Sequence, residues 1–149
     1  MNCVYYGFNR GLDGDFKPTT DSNGVLTTFC NEFIQSICNG LGYSGLNGLM
    51  ANQMIDFMLD PKNGWITVDD AVAQAHANNG ALVIAGKKNP TGHGHVCLII
   101  PGILEQSNSF GKSVPKCANV GKDVFIGKRI SFAFPVSMIP QYFVLGQMI

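Results

Sequence analysis

Residues 28–41 read TFCNEFIQSICNGL, and the fold is decided here. Phe33, Ile34, Ile37, Cys38 and Leu41 recur at helical spacing and form one apolar face. Thr27 or Thr28 can cap the start by accepting a free backbone N–H, and Gly42 is a good stop. A helix from Thr28 to Leu41 is therefore expected. Cys30 falls in its first turn, on the face of Phe33 and Ile34. Because that face must pack on another layer, the thiol points into the molecule rather than into solvent.

Two more helices follow the same logic. One runs from Leu49 to Leu59, capped by Asn47 and stopped before Pro61. The other runs from Val68 to Asn78, with Thr67 as cap, Asp69 and Asp70 in the first turn, and Gly80 at the end. After Gly80 the pattern changes to short apolar runs between turn residues. Strands are expected at Ala81–Ala85, His95–Ile100, Lys116–Val120 and Ile130–Phe134, and the apolar tail Met138–Ile149 should end in a strand or turn on the sheet. The first 26 residues, rich in Gly, Asp, Asn and Thr, read as an irregular arm. Helices first, then hairpin-linked strands, is the order of an α+β domain with helices packed on an antiparallel sheet. The 149 residues fit one domain and can bury a core without disulfides or a structural metal.

Cys30 has the setting of a nucleophile. The unpaired N–H groups and positive dipole end of a helix favour thiolate over thiol. Its own backbone N–H would lie where an oxyanion develops on an attacked carbonyl. His95 opens the strand HVCLII, an odd choice for packing alone but suited to a base at the mouth of an apolar strand. Side chains alternate along a strand, so His95, Cys97 and Ile99 face one way and Val96, Leu98 and Ile100 the other. Gly92 and Gly94 leave room for close approach. His93 and His95 also form an H-x-H pair, but the third histidine, His76, belongs to a helix and no H-E-x-x-H companion exists. That pattern gives a zinc site little support. No metal or other cofactor is expected. The five cysteines, Cys3, Cys30, Cys38, Cys97 and Cys117, cannot all pair and show no C-x-x-C spacing, so they read as mostly reduced.

Cysteine early on a helix and histidine on a later strand is the chain order of papain-like hydrolases. The segments TTFCNEFIQSICNGLGY and GHGHVCLIIPG resemble a narrower group, the CHAP and NlpC-type amidases and endopeptidases that cleave bacterial cell-wall peptides. Phage lysins and interbacterial amidase effectors share this layout. The resemblance rests on Thr28-x-Cys30-Asn31 with Phe33 and on Gly94-His95-Val96, and covers roughly residues 25–120. It implies a papain-like fold and a cysteine hydrolase acting on amide bonds of peptidoglycan stem peptides, with Cys30 as nucleophile and His95 as base. It also implies a polar residue that orients the histidine. Asn119 is the first choice, with Glu105 and Asn108 as alternatives. Thr28, Asn31 and His93 become candidates for substrate binding. The Asp-Cys-Ser triplet of many NlpC-type enzymes is absent around Cys30, and no second wall-binding module is visible. An acyl transferase of the same fold and an inactive binding module are the competing readings.

Partners implied are the stem peptide and an immunity or carrier protein; the chain is expected to act as a monomer. Formal net charge is zero but unevenly placed. Residues 1–80 hold three bases against eight acids, net −5, and residues 81–149 hold seven bases against two acids, net +5. Ordinary solvated faces account for this; the sharper alternative is a basic rim, with Lys87, Lys88, Lys112 and Lys116 drawing in an anionic polymer. No basic run is dense enough for nucleic acid. No membrane span is present, and the opening MNCVYYGFNR is not a secretory signal, so delivery to a cell wall would need lysis or a dedicated carrier. Trp65, Tyr5, Tyr6 and Phe110 are aromatic candidates for a groove, though core positions suit them equally well.

Overall fold

The computed structural model describes residues 16–146. Strands β1 (Thr19–Thr20) and β2 (Leu26–Thr27) form a small ribbon before helix α1 (Cys30–Gly40). Helix α2 (Ala51–Leu59), strand β3 (Trp65–Val68) and helix α3 (Asp70–Asn78) follow. The remaining strands are β4 (Val83–Lys87), β5 (His95–Ile99), β6 (Glu105–Ser107), β7 (Lys112–Val114), β8 (Lys116–Asn119), β9 (Phe125–Arg129) and β10 (Gln141–Leu145). Six of them make one antiparallel sheet in the order β3-β10-β4-β5-β8-β9, while β6 and β7 pair apart from it. The architecture is α+β, as the order of patterns implies. Among the described residues no helix is long and apolar enough to cross a membrane.

The sheet is buried on both sides, which is why its central strands read as continuous apolar runs. Val96, Leu98 and Ile100 belong to a core shared with Phe33, Ile34 and Ile37 of α1 and Met54, Ile55 and Met58 of α2. Cys97 and Ile99 belong to a second core with Ala73 and Ala77 of α3, Phe134 and Ile130. Period-two alternation in HVCLII therefore sorts its residues between two cores.

Several local expectations are corrected. Helix α1 is capped by Phe29, without a side-chain hydrogen bond, rather than by Thr27 or Thr28. Helix α2 starts after Met50, whose N–H donates to Gln53 Oε1 at 2.9 Å; Asn47 instead accepts from Asn39. Residues 65–68 form an edge strand, so α3 begins two residues later than expected, with Asp69 as the side-chain cap to Val72 N–H. The ladder with Tyr142–Leu145 favours strand for Ile66, Thr67 and Val68, whose branched side chains fit a pleated surface. Residues 130–132 are a 3₁₀ turn, and the strand pairing with β8 is Phe125–Arg129. The arm contains the β1–β2 ribbon; its first 15 residues, with Cys3, Tyr5 and Tyr6, lie outside the described residues, as do the last three. Trp65 is core: its indole N–H donates to Tyr43 Oη at 3.0 Å. Phe110 packs against the second core.

Candidate active site

Helix α1 delivers Cys30 as its first residue, with the side chain 6% exposed. A helix start leaves backbone N–H groups without intrahelical partners. Phe29 supplies no side-chain cap for these donors, and the backbone N–H groups of Cys30 and Asn31 favour the thiolate. The backbone of Val96 on β5 acts in the same direction.

These donors do not make a standing thiolate. Burial is the largest influence on Cys30 and pushes its pKa above the ordinary 9.0; exposed Glu32 adds to the rise, and the three backbone groups only partly oppose it. Desolvation of a charge in an apolar setting outweighs a few dipoles. The expected push of the helix end toward thiolate is thus opposed by burial. Burial favours the neutral thiol at rest.

His95 is the first residue of β5, at the end of the sheet. Its ring packs on Phe134, centroids 4.9 Å apart, and its Nε2 lies 2.6 Å from Asn119 Oδ1. Asn119 is buried and held from its other end, with Nδ2 donating to the carbonyl of Asp123 at 2.8 Å in the β8–β9 turn. That bond fixes which way the amide faces. Its oxygen is left for the imidazole, so Nε2 must be the N–H that donates. In the neutral ring Nδ1 then carries the lone pair. Burial, the larger influence, lowers the His95 pKa below its ordinary 6.5, while the Asn119 bond works the other way. His95 therefore rests as neutral imidazole near pH 7, the form a general base requires.

Asn119, rather than Glu105 or Asn108, is the polar residue at His95. Glu105 is tied to Lys116 at 2.8 Å, which holds its carboxyl below the usual range, and Asn108 is exposed in the β6–β7 turn. Asn119 reaches His95 diagonally across the β5–β8 ladder, because Leu98 faces Ala118 in register. The position opposite His95 is Gly121, where a Cβ would stand 3.0 Å from His95 Cε1. Glycine leaves space for the ring.

A cavity of about 400 Å³ opens over Cys30. Thr28, Asn31 and His93 line it with Cys30, so these four predicted residues come together; His95 and Asn119 are not among the lining residues. Asn31 is buried, its amide toward Met50 Sδ at 3.7 Å, and His93 is exposed. His76 is exposed on α3, among residues lining a different cavity. Among the described residues no three His, Cys, Asp or Glu side chains gather as a metal site would require.

Asn52 is a residue the sequence did not single out. Its Nδ2 donates to the carbonyls of Asn89 at 2.9 Å and Gly92 at 3.0 Å, and its Oδ1 accepts from Asn89 N–H at 3.0 Å. It clasps the β4–β5 loop that carries His93 and leads into His95. Gly94 passes so close that a Cβ there would run into Asn52 Oδ1 and stand 2.9 Å from the Lys87 carbonyl. The expected room at Gly94 is thus occupied by the protein's own loop clasp. Nothing in the local pattern around Asn52 marks this role, since its partners lie 37 and 40 residues away.

The basic rim does not take the form proposed for it. Lys88 pairs with Asp56 at 2.6 Å, Lys112 with Asp70 at 2.8 Å and Lys116 with Glu105 at 2.8 Å, and none of these lysines, nor Lys87, lines the cavity. A scan of the chain against models of known protein families gives no match, and a search of curated protein sequences gives none.

Proposed function

We propose that this protein is a cysteine hydrolase of papain-like type that cleaves amide bonds in the peptide part of bacterial cell wall. One arrangement supports the chemistry: Cys30 opens an uncapped helix whose apolar face packs against β5, and His95, the first residue of β5, is held by a doubly hydrogen-bonded asparagine. In the reaction the Cys30 proton passes to Nδ1 of His95 as sulfur bonds to the substrate carbonyl carbon. The N–H groups at the start of α1 receive the oxyanion. The imidazolium then protonates the departing amine as the C–N bond breaks. Water, deprotonated by His95, releases the acyl group as a carboxylic acid and regenerates the thiol.

The choice of cell-wall peptide rests on the resemblance of Thr28-x-Cys30-Asn31 and Gly94-His95-Val96 to the CHAP and NlpC-type enzymes. Incubation of the protein with purified sacculi, followed by mass analysis of the fragments, tests it. The expected products show a cut amide in the stem peptide and intact sugar chains, and Cys30→Ala gives none. Cut glycosidic bonds, or no fragments beside a reactive Cys30, would overturn the substrate assignment.

A further inference from the structure

The walls of the cavity over Cys30 carry no lysine, arginine or carboxylate among the described residues. Three of its lining side chains are large, apolar and open to solvent: Val25 at 58%, Leu26 at 46% and Met50 at 51% exposure. They come from separate segments, the β1–β2 ribbon and the residue that caps α2, yet converge on one cavity with the thiol in it. Exposed apolar side chains gathered around a concave site mark a surface that is covered when a ligand binds. A charged side chain seated among Val25, Leu26 and Met50 would lose water with no lysine, arginine or carboxylate of the cavity wall beside it.

We propose that Val25, Leu26 and Met50 form a specificity subsite that seats an uncharged, apolar side chain of the substrate's acyl portion next to the scissile carbonyl. The occupant is an apolar residue of a peptide, and the subsite rejects acidic and basic residues at that position by desolvation. The inference rests on the cysteine-hydrolase reading and goes beyond it, by naming the side-chain class adjacent to the bond that is cut.

The test uses N-acetyl-Gly-Xaa fluoromethyl ketones with Xaa as Leu, Glu or Lys. Attack by Cys30 forms the sulfur–carbon bond and expels fluoride, while the thiol proton passes to His95. Modification of Cys30 is followed by peptide mass mapping. The Leu probe should react at least about tenfold faster than the Glu and Lys probes, the scale of one well-placed apolar contact. Leu26→Lys should reverse the order in favour of the Glu probe, a gain that misfolding cannot produce. Equal rates for the three probes, or an unchanged order in Leu26→Lys, would overturn the subsite. Iodoacetamide, which has no side chain to seat, separates the two levels. If it labels Cys30 while the peptide probes show no preference, the subsite fails and the hydrolase reading stands. If Cys30 resists iodoacetamide and every peptide probe, the hydrolase reading fails and the subsite falls with it.

Discussion

At the scale of single residues, Cys30 and His95 are set by opposing effects of burial. Removal from water raises the thiol and lowers the imidazole, so both rest neutral. The sign for catalysis follows. In the proposed mechanism activity needs neutral His95, so kcat/KM should rise with pH along a limb whose midpoint lies below 6.5. In His95→Ala the thiol has lost its base, and turnover should drop by about 10²-fold or more. Alkylation of Cys30 in that variant should accelerate only as pH climbs past the ordinary thiol value of 9.0. Rapid labelling of the variant at pH 7 would show that the helix end ionises the thiol unaided. Asn119→Ala removes the acceptor that fixes Nε2–H and leaves Phe134 as the ring's aromatic neighbour. A loss of roughly 10²-fold in kcat with little change in KM is expected, since the base is misaimed while the cavity stays intact.

At the scale of elements, the site depends on two hairpin ends. The β8–β9 turn supplies the Asp123 carbonyl for Asn119 and the bare Gly121 beside the histidine. In Gly121→Ala the new methyl group would press on Cε1 of a ring already held by Asn119 and Phe134. The expected result is a fold that melts within a few degrees of the parent but a kcat lowered by about 10²-fold. Kinetics and thermal denaturation on one preparation check both halves. The β4–β5 loop depends on Asn52, whose three hydrogen bonds tie α2 to Asn89 and Gly92. At about 1 kcal/mol net for each bond of this kind, Asn52→Ala should destabilise the protein by about 1–3 kcal/mol. It should also raise KM more than it lowers kcat, because His93 lines the cavity and moves with the loop.

For the whole molecule, charge is distributed differently from its distribution along the chain. The basic C-terminal half and the acidic N-terminal half interlock: Lys88 meets Asp56 and Lys112 meets Asp70, one partner from each half. Part of the imbalance is thereby neutralised on the surface, and the walls over Cys30 carry no lysine, arginine or carboxylate among the described residues. Salt weakens attraction between exposed charges, with a screening length of about 10 Å at 0.1 M. Hydrolysis of a small neutral peptide should therefore change less than about twofold between 0.05 and 0.5 M sodium chloride. A steep fall would point to steering by cations elsewhere on the surface.

How much of this was written in the sequence depends on the range of the interaction. The helices of Cys30, Met54 and Ala73 follow from local periodicity, and the run HVCLII announces a strand, because each signal is complete within a dozen residues. The α+β class and the grouping of Thr28, Cys30, Asn31 and His93 around one cavity were legible on that basis and from the resemblance. Tertiary structure decided the rest. Residues 65–68 became a strand because β10, more than 70 residues later, offered a ladder. Asn119 was the first choice from the sequence, but only cross-strand register separated it from Glu105 and Asn108. Asn52 and Gly121 acquired their roles from backbone that packs against them across the fold. The ionisation of Cys30 also turned on its environment: a helix dipole can be read from a helix end, but burial is a property of everything folded around it.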